Sequence, residues 1–187
     1  MENILENKFL NIKRWKLGSQ TAVHKPLLIL YVLSQYKNGH KRLFNFEYEI
    51  YDQLRELLGL YGQQVRSQHP EYPFWRLQND GFWEVKTQER ILLTSSGDAP
   101  KRQLFESEAV GGFKPQFYDK LSRDRHVIDV LSVSLIKSNF RVSLHKPLIQ
   151  YFEINLALIS PNKLSESELN PYSCGPLLEE LISEMQI

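Results

Sequence analysis

Asp80, Glu84 and Lys86 are the residues whose spacing comes nearest to a catalytic set. An acidic residue followed by Glu-x-Lys is the skeleton of many metal-dependent nucleases, in which two carboxylates hold Mg²⁺ and the lysine helps to polarise water. On a strand, Glu84 and Lys86 share one face, as that chemistry requires. Asp80, however, stands in a turn only four residues before Glu84, whereas such nucleases usually draw the first acid from a separate strand. Mg²⁺-dependent cleavage by Asp80, Glu84 and Lys86 is therefore the alternative reading. His24, His69, His126 and His145 are scattered without metal-ligand spacing, and the lone Cys174 excludes a multi-cysteine zinc site. No Ser-His-Asp arrangement and no glycine-rich phosphate loop can be argued. The expectation is no catalytic residue, no metal and no cofactor.

Two other stretches carry binding chemistry. His24 and Lys25 precede Pro26 and the apolar run LLILYVL. Proline suits the first turn of a helix, where its missing N–H matters least, so this is a helix start. The exposed N–H groups and positive macrodipole end there favour an anion. The second stretch, HPEYPFWRLQNDGFW at 69–83, gathers two prolines and five aromatic rings around Arg76. Tyr72 and Pro73 form a stiff apolar ledge with a hydroxyl at its rim. The sequence predicts Phe74, Phe82 and one tryptophan inside, with Tyr72, Pro73 and Arg76 available to a ligand.

Elements to hold these residues can be read along the chain. Ile4, Leu5, Phe9 and Ile12 line one face of a first helix that Gly18 and Ser19 close. The second helix begins near Pro26, is apolar nearly all round, and ends at Asn38-Gly39. A third, over about 46–60, buries Phe46, Ile50, Leu54, Leu57 and Leu58. YPFWRL, the turn QNDG and FWEVK read as a β-hairpin, with RILLTSS extended beyond it. The pattern turns helical from Arg102, Gly111-Gly112 punctuates it, Pro115 starts a short helix, and Asp124 caps a longer one through Leu135. SLHKPLIQYFEI adds a last helix. The fold class is mainly α with a small antiparallel β-sheet (α+β), in one globular unit over 1–152. Residues 153–187 read as an acidic linker or tail with a short amphipathic piece.

The chain has 187 residues, enough for one domain with a real core. Its net charge of +1 hides an asymmetry: Asn7 to Arg42 holds eight Lys or Arg and no acid, whereas Glu153 to Ile187 holds six Glu and one Lys. A basic block is an electrostatic footprint for polyanions. No apolar run nears the roughly 18 residues that span a bilayer, and the acidic start is no signal peptide, so the expected location is cytoplasmic, away from any membrane.

TAVHKPLLILYVL, then RSQHPEYPFWRLQNDGFWEV, then AVGGF, in that order over about residues 5–150, resemble the sulfur-binding domain of phosphorothioate-dependent, type IV restriction endonucleases of the McrA-like kind. The resemblance implies a non-enzymatic reader of double-stranded DNA in which sulfur replaces one non-bridging phosphate oxygen, working with a nuclease domain or subunit that carries an HNH motif. This chain has no HNH motif. It also implies that His24, Lys25, Tyr72 and Pro73 surround the sulfur, with Arg76 at a further position of that cup, where a small apolar residue would line it. From position alone, Arg66, Ser67, Gln68 and His69 on one side, and Ser96, Asp98, Lys101 and Arg102 on the other, are candidates to read base edges. Lys13, Arg14 and Lys16 are candidates for phosphate contacts. The third reading is a general binder of double-stranded DNA.

Overall fold

The computed structural model describes residues 7–9, 11–13, 16–17, 20–62 and 68–158. Ile4, Leu5, Arg14, Gly18, Ser19, Arg66, Ser67, Cys174 and the tail from 159 lie outside them, as do the side chains of Lys16 and Leu17.

The organising element is α1 (His24–Lys37), which buries Pro26, Leu27, Leu28, Ile29, Leu30, Val32, Leu33 and Tyr36. A helix apolar on every side must be covered on every side. Four helices pack against it: α2 (Asp52–Tyr61), α3 (Glu71–Arg76), α5 (Pro115–Arg123) and α6 (Arg125–Asn139). Between these run β3 (Phe44–Asn45), β4 (Trp83–Lys86), α4 (Lys101–Glu106) and β5 (Val110–Phe113), while α7 (His145–Tyr151) closes the described fold. A π-helical turn, Phe46–Tyr51, leads into α2. The stripe expected on this third helix is buried in full: Phe46, Ile50, Leu54, Leu57 and Leu58. Asp124 caps α6 by accepting from the His126 N–H at 2.9 Å.

Several local expectations give way to tertiary packing. The first helix does not reach Gly18: Asn7–Phe9 are helical, but β1 (Lys16–Leu17) and β2 (Gln20–Thr21) pair antiparallel instead. Phe9 and Ile12 still reach the core. EYPFWR is not a strand but α3, continued by a 3₁₀ turn over Leu77–Asp80. Pro73 is the third helical residue, a place with no intrahelical N–H to lose, as Pro26 is in α1. Gly81 does take the left-handed conformation that QNDG implied, with φ +82°, but it ends this helical segment rather than turning a hairpin.

Gly111 and Gly112 do not break a helix. They sit in β5, the centre of a three-stranded antiparallel sheet of order β3-β5-β4. A Cβ at Gly111 would stand 2.7 Å from the Phe74 ring, and one at Gly112 would strike the Arg42 carbonyl. The missing side chains let α3 press onto the sheet through Phe74, whose ring lies 4.5 Å from Phe46 and 5.8 Å from Trp83. Residues 90–100 contain no strand.

Candidate nucleic-acid interface

The start of α1 lies against α3, and this contact assembles the site. His24 and Lys25 are the first two residues of α1, after Val23, which supplies no side-chain cap. The first intrahelical bond runs from the Leu27 N–H to the Val23 carbonyl, so the N–H groups of His24 and Lys25 precede the ladder. The first turn holds no acid. His24 is half-buried, and its Nε2 is buried without a hydrogen-bond partner among the described residues. Burial first, then the positive fields of His69 and Arg76, hold its imidazole below the ordinary value of 6.5.

Tyr72 is the exposed face of α3, at 36 %. The His69 ring stacks on it at 4.9 Å and 21°, and the Arg76 guanidinium lies 5.0 Å over the same ring. His69 also pairs through Nδ1 with Glu71 Oε1 at 3.0 Å. Arg76 makes a bidentate fork to Asp98, with Nε to Oδ1 and Nη2 to Oδ2 both at 2.5 Å. Those bonds pull the Asp98 carboxyl below the usual range and push the guanidinium further up. Ser96 Oγ adds a bond to Asp98 at 3.0 Å, the Thr94 hydroxyl receives the Asp98 N–H, and Trp75 Nε1 donates to the Gly97 carbonyl.

The structure brings Tyr72, His24 and Arg76 close to His69, whereas it places other candidates elsewhere. Pro73 is buried, so the ledge is Tyr72 alone; the proline ring faces the interior because Tyr72 and Arg76, four residues apart, take the outer face of the helix. Asp98 is buried at 3 % and spent on Arg76, so it is an anchor rather than a reader of bases. Lys25 does not face outward: its Nζ lies 2.6 Å from Asp80 Oδ2, the two side chains being 12 % and 3 % exposed. Lys101 Nζ sits over the rings of Tyr51 and Phe105, and Arg102 pairs with Glu106 along α4. Gln68 is half-buried, Ser96 is exposed, and Lys13 keeps an exposed side chain while its N–H donates to Asp80 Oδ1 at 2.7 Å. Glu71, Thr94, Trp75 and Gly97 were missed, because their roles are to brace other groups and no local signal marks that.

The nuclease trio is disassembled. Asp80 is closed off by Lys25 and the Lys13 amide, and Glu84 by Arg42, which also donates to the Phe113 carbonyl. Lys86 is exposed at the strand end. Among the described residues no group of three His, Cys, Asp or Glu side chains could hold a metal ion.

The model of the ScoMcrA-like DNA sulfur-binding domain family matches residues 2–156. The chain belongs to the DNA sulfur-binding domain family. Its fold agrees with the sulfur-binding domain of ScoMcrA complexed with phosphorothioated DNA, at a TM-score of 0.72 and 24 % identity over 83 % of this chain and 98 % of that one. It also agrees with the sulfur-binding domain of SprMcrA complexed with phosphorothioated DNA, at 0.67 and 20 % identity over 82 % and 94 %. The type IV phosphorothioation-dependent restriction endonuclease ScoMcrA matches at 0.65 and 22 % identity, over 79 % of this chain but only 28 % of that longer one. No curated protein matches. Among the described residues of this sulfur-binding-domain chain, no helix is long and apolar enough to cross a membrane.

Proposed function

We propose that this chain binds double-stranded DNA carrying a phosphorothioate linkage, and that it targets a nuclease domain or subunit to such DNA in a restriction system of the cytoplasm. The observation that carries the reading is the meeting of one exposed aromatic face, Tyr72, with His24, His69 and Arg76. Sulfur is larger and softer than oxygen, is less well hydrated and accepts hydrogen bonds poorly. An apolar surface takes it at small desolvation cost, whereas the same surface strips water from a phosphate oxygen without replacing its bonds. The Arg76 guanidinium beside this surface answers part of the charge that the linkage keeps. Lys25, paired with Asp80, braces the start of α1 beside this surface.

The test is one duplex with and without a single sulfur, compared in affinity at fixed salt. The modified duplex should bind at least about tenfold more tightly, or 1.4 kcal/mol. Equal affinities would leave only a general DNA binder. With Mg²⁺ and modified plasmid the pure chain should leave the DNA intact; cleavage that Glu84→Ala abolishes would overturn the assignment.

A further inference from the structure

Arg76 is fixed in place with three of its five donors unspent. Two of its five N–H groups are used on Asp98. The other three have no hydrogen-bond partner among the described residues, and the side chain is 46 % exposed. Its position is not a chance of a flexible arm. Asp98 is locked by Ser96 and by the Thr94 hydroxyl, the loop is closed by the Thr94 N–H to Asp98 carbonyl bond at 2.9 Å, and Trp75 ties Gly97 back to α3. The guanidinium is therefore held over Tyr72 at both ends of the clamp, and little rotamer freedom remains to be lost on binding.

From this geometry we infer that Arg76 sets the selectivity of the site by offering hydrogen bonds to a non-bridging oxygen of the bound linkage, so that it supports ordinary phosphate more than it supports phosphorothioate. This rests on the function proposed above. Guanidinium N–H groups are hard donors, matched to oxygen and poorly matched to sulfur. An ordinary linkage seated against Tyr72 places an oxygen where water is excluded, and the unspent edge of Arg76 can replace part of the lost hydration. A thiolated linkage with its sulfur in that place gains only the charge. Arg76 thus raises affinity for DNA of both kinds while narrowing the gap between them, and Asp98 is the positioning residue that keeps the edge turned outward.

Four proteins and two duplexes decide the matter: wild type, Arg76→Ala, Arg76→Lys and Asp98→Asn, each titrated with the plain and the singly thiolated duplex. Arg76→Ala should weaken plain-duplex binding about tenfold or more and modified-duplex binding by a smaller factor, so that the ratio of the two affinities rises. Arg76→Lys keeps the charge without the fork, so the salt dependence should hold while the ratio still rises. Asp98→Asn should move the ratio the same way, which mere bracing would not. Because Arg76→Ala leaves Asp98 buried without its partner, Arg76→Gln, whose amide still donates to that carboxylate, carries the comparison if the alanine variant fails to fold. A ratio that stays constant or falls in the arginine variants, with wild type still preferring sulfur, refutes the role of Arg76 and leaves sulfur reading intact. A wild type indifferent to sulfur refutes the reading beneath it.

Discussion

Lys25 separates two accounts of the basic side chain at the start of α1. As an outward phosphate contact, its removal should reduce the salt dependence of DNA binding by about one unit of slope and leave stability alone. The structure gives it another occupation. Its ammonium is 2.6 Å from Asp80, the carboxylate is 3 % exposed, and the pair ties the start of α1 to the 3₁₀ turn 55 residues away. Lys25→Ala would strand that carboxylate with, among the described residues, one remaining donor, the Lys13 N–H at 2.7 Å. Removing one partner of a buried pair costs about 3–5 kcal/mol, and the surviving amide bond places this case near the lower figure. At about 2–4 °C per kcal/mol for a domain of this size, Tm should fall by roughly 6–12 °C. Asp80→Asn on the Lys25→Ala background removes the stranded charge and should recover most of that loss. Urea titrations of the two single variants, the double variant and wild type measure the cycle, and salt titrations of DNA affinity on the same proteins measure the slope. A Lys25→Ala protein as stable as wild type whose slope drops by one unit would refute the internal pairing and restore Lys25 to the DNA.

Lys13, whose side chain is exposed, should show the behaviour denied to Lys25: Lys13→Ala lowers the salt slope by about one unit with little change in the urea midpoint. His24 makes both stability and binding depend on pH. Its folded value lies below 6.5, so between the two values the unfolded chain holds a proton that the folded chain lacks, and stability should fall as pH drops through that window. A bound anionic linkage opposes the fields of His69 and Arg76, so binding takes up a proton and affinity should rise from pH 7.5 to 6; His24→Asn should flatten that rise in titrations at constant ionic strength. Tyr72→Ala should cost the modified duplex at least about tenfold in affinity through loss of the stacked platform, whereas Tyr72→Phe should cost little, as paired titrations would show. Gly111→Ala must displace Phe74 from a fully buried site and should lower stability by about 1–3 kcal/mol in urea unfolding.

The sequence alone determined whatever depends on local periodicity and on residues that act near their own position. The all-round apolar run after Pro26 reads as a central helix, the stripe from Phe46 to Leu58 reads as a buried face, and Asp124 and Gly81 act on backbone within a few residues of themselves. The stretch HPEYPFWRLQNDGFW supplies most of the candidate site, but its conformation is not legible locally, because two prolines and a run of aromatics satisfy both a strand and the first turn of a short helix. Tertiary packing chose between them: Phe74 had to reach Phe46 and Trp83, and Gly111 cleared the space for it. Tertiary structure alone also settled which charges are internal. Asp80 meets Lys25 and Asp98 meets Arg76 across separations of 55 and 22 residues, and Arg42 reaches Glu84 across 42. No local rule brings such partners together, since a charge with no neighbour in sequence reads as solvated until folding supplies one. That pairing is what ties Asp80 to Lys25, Glu84 to Arg42 and Asp98 to Arg76.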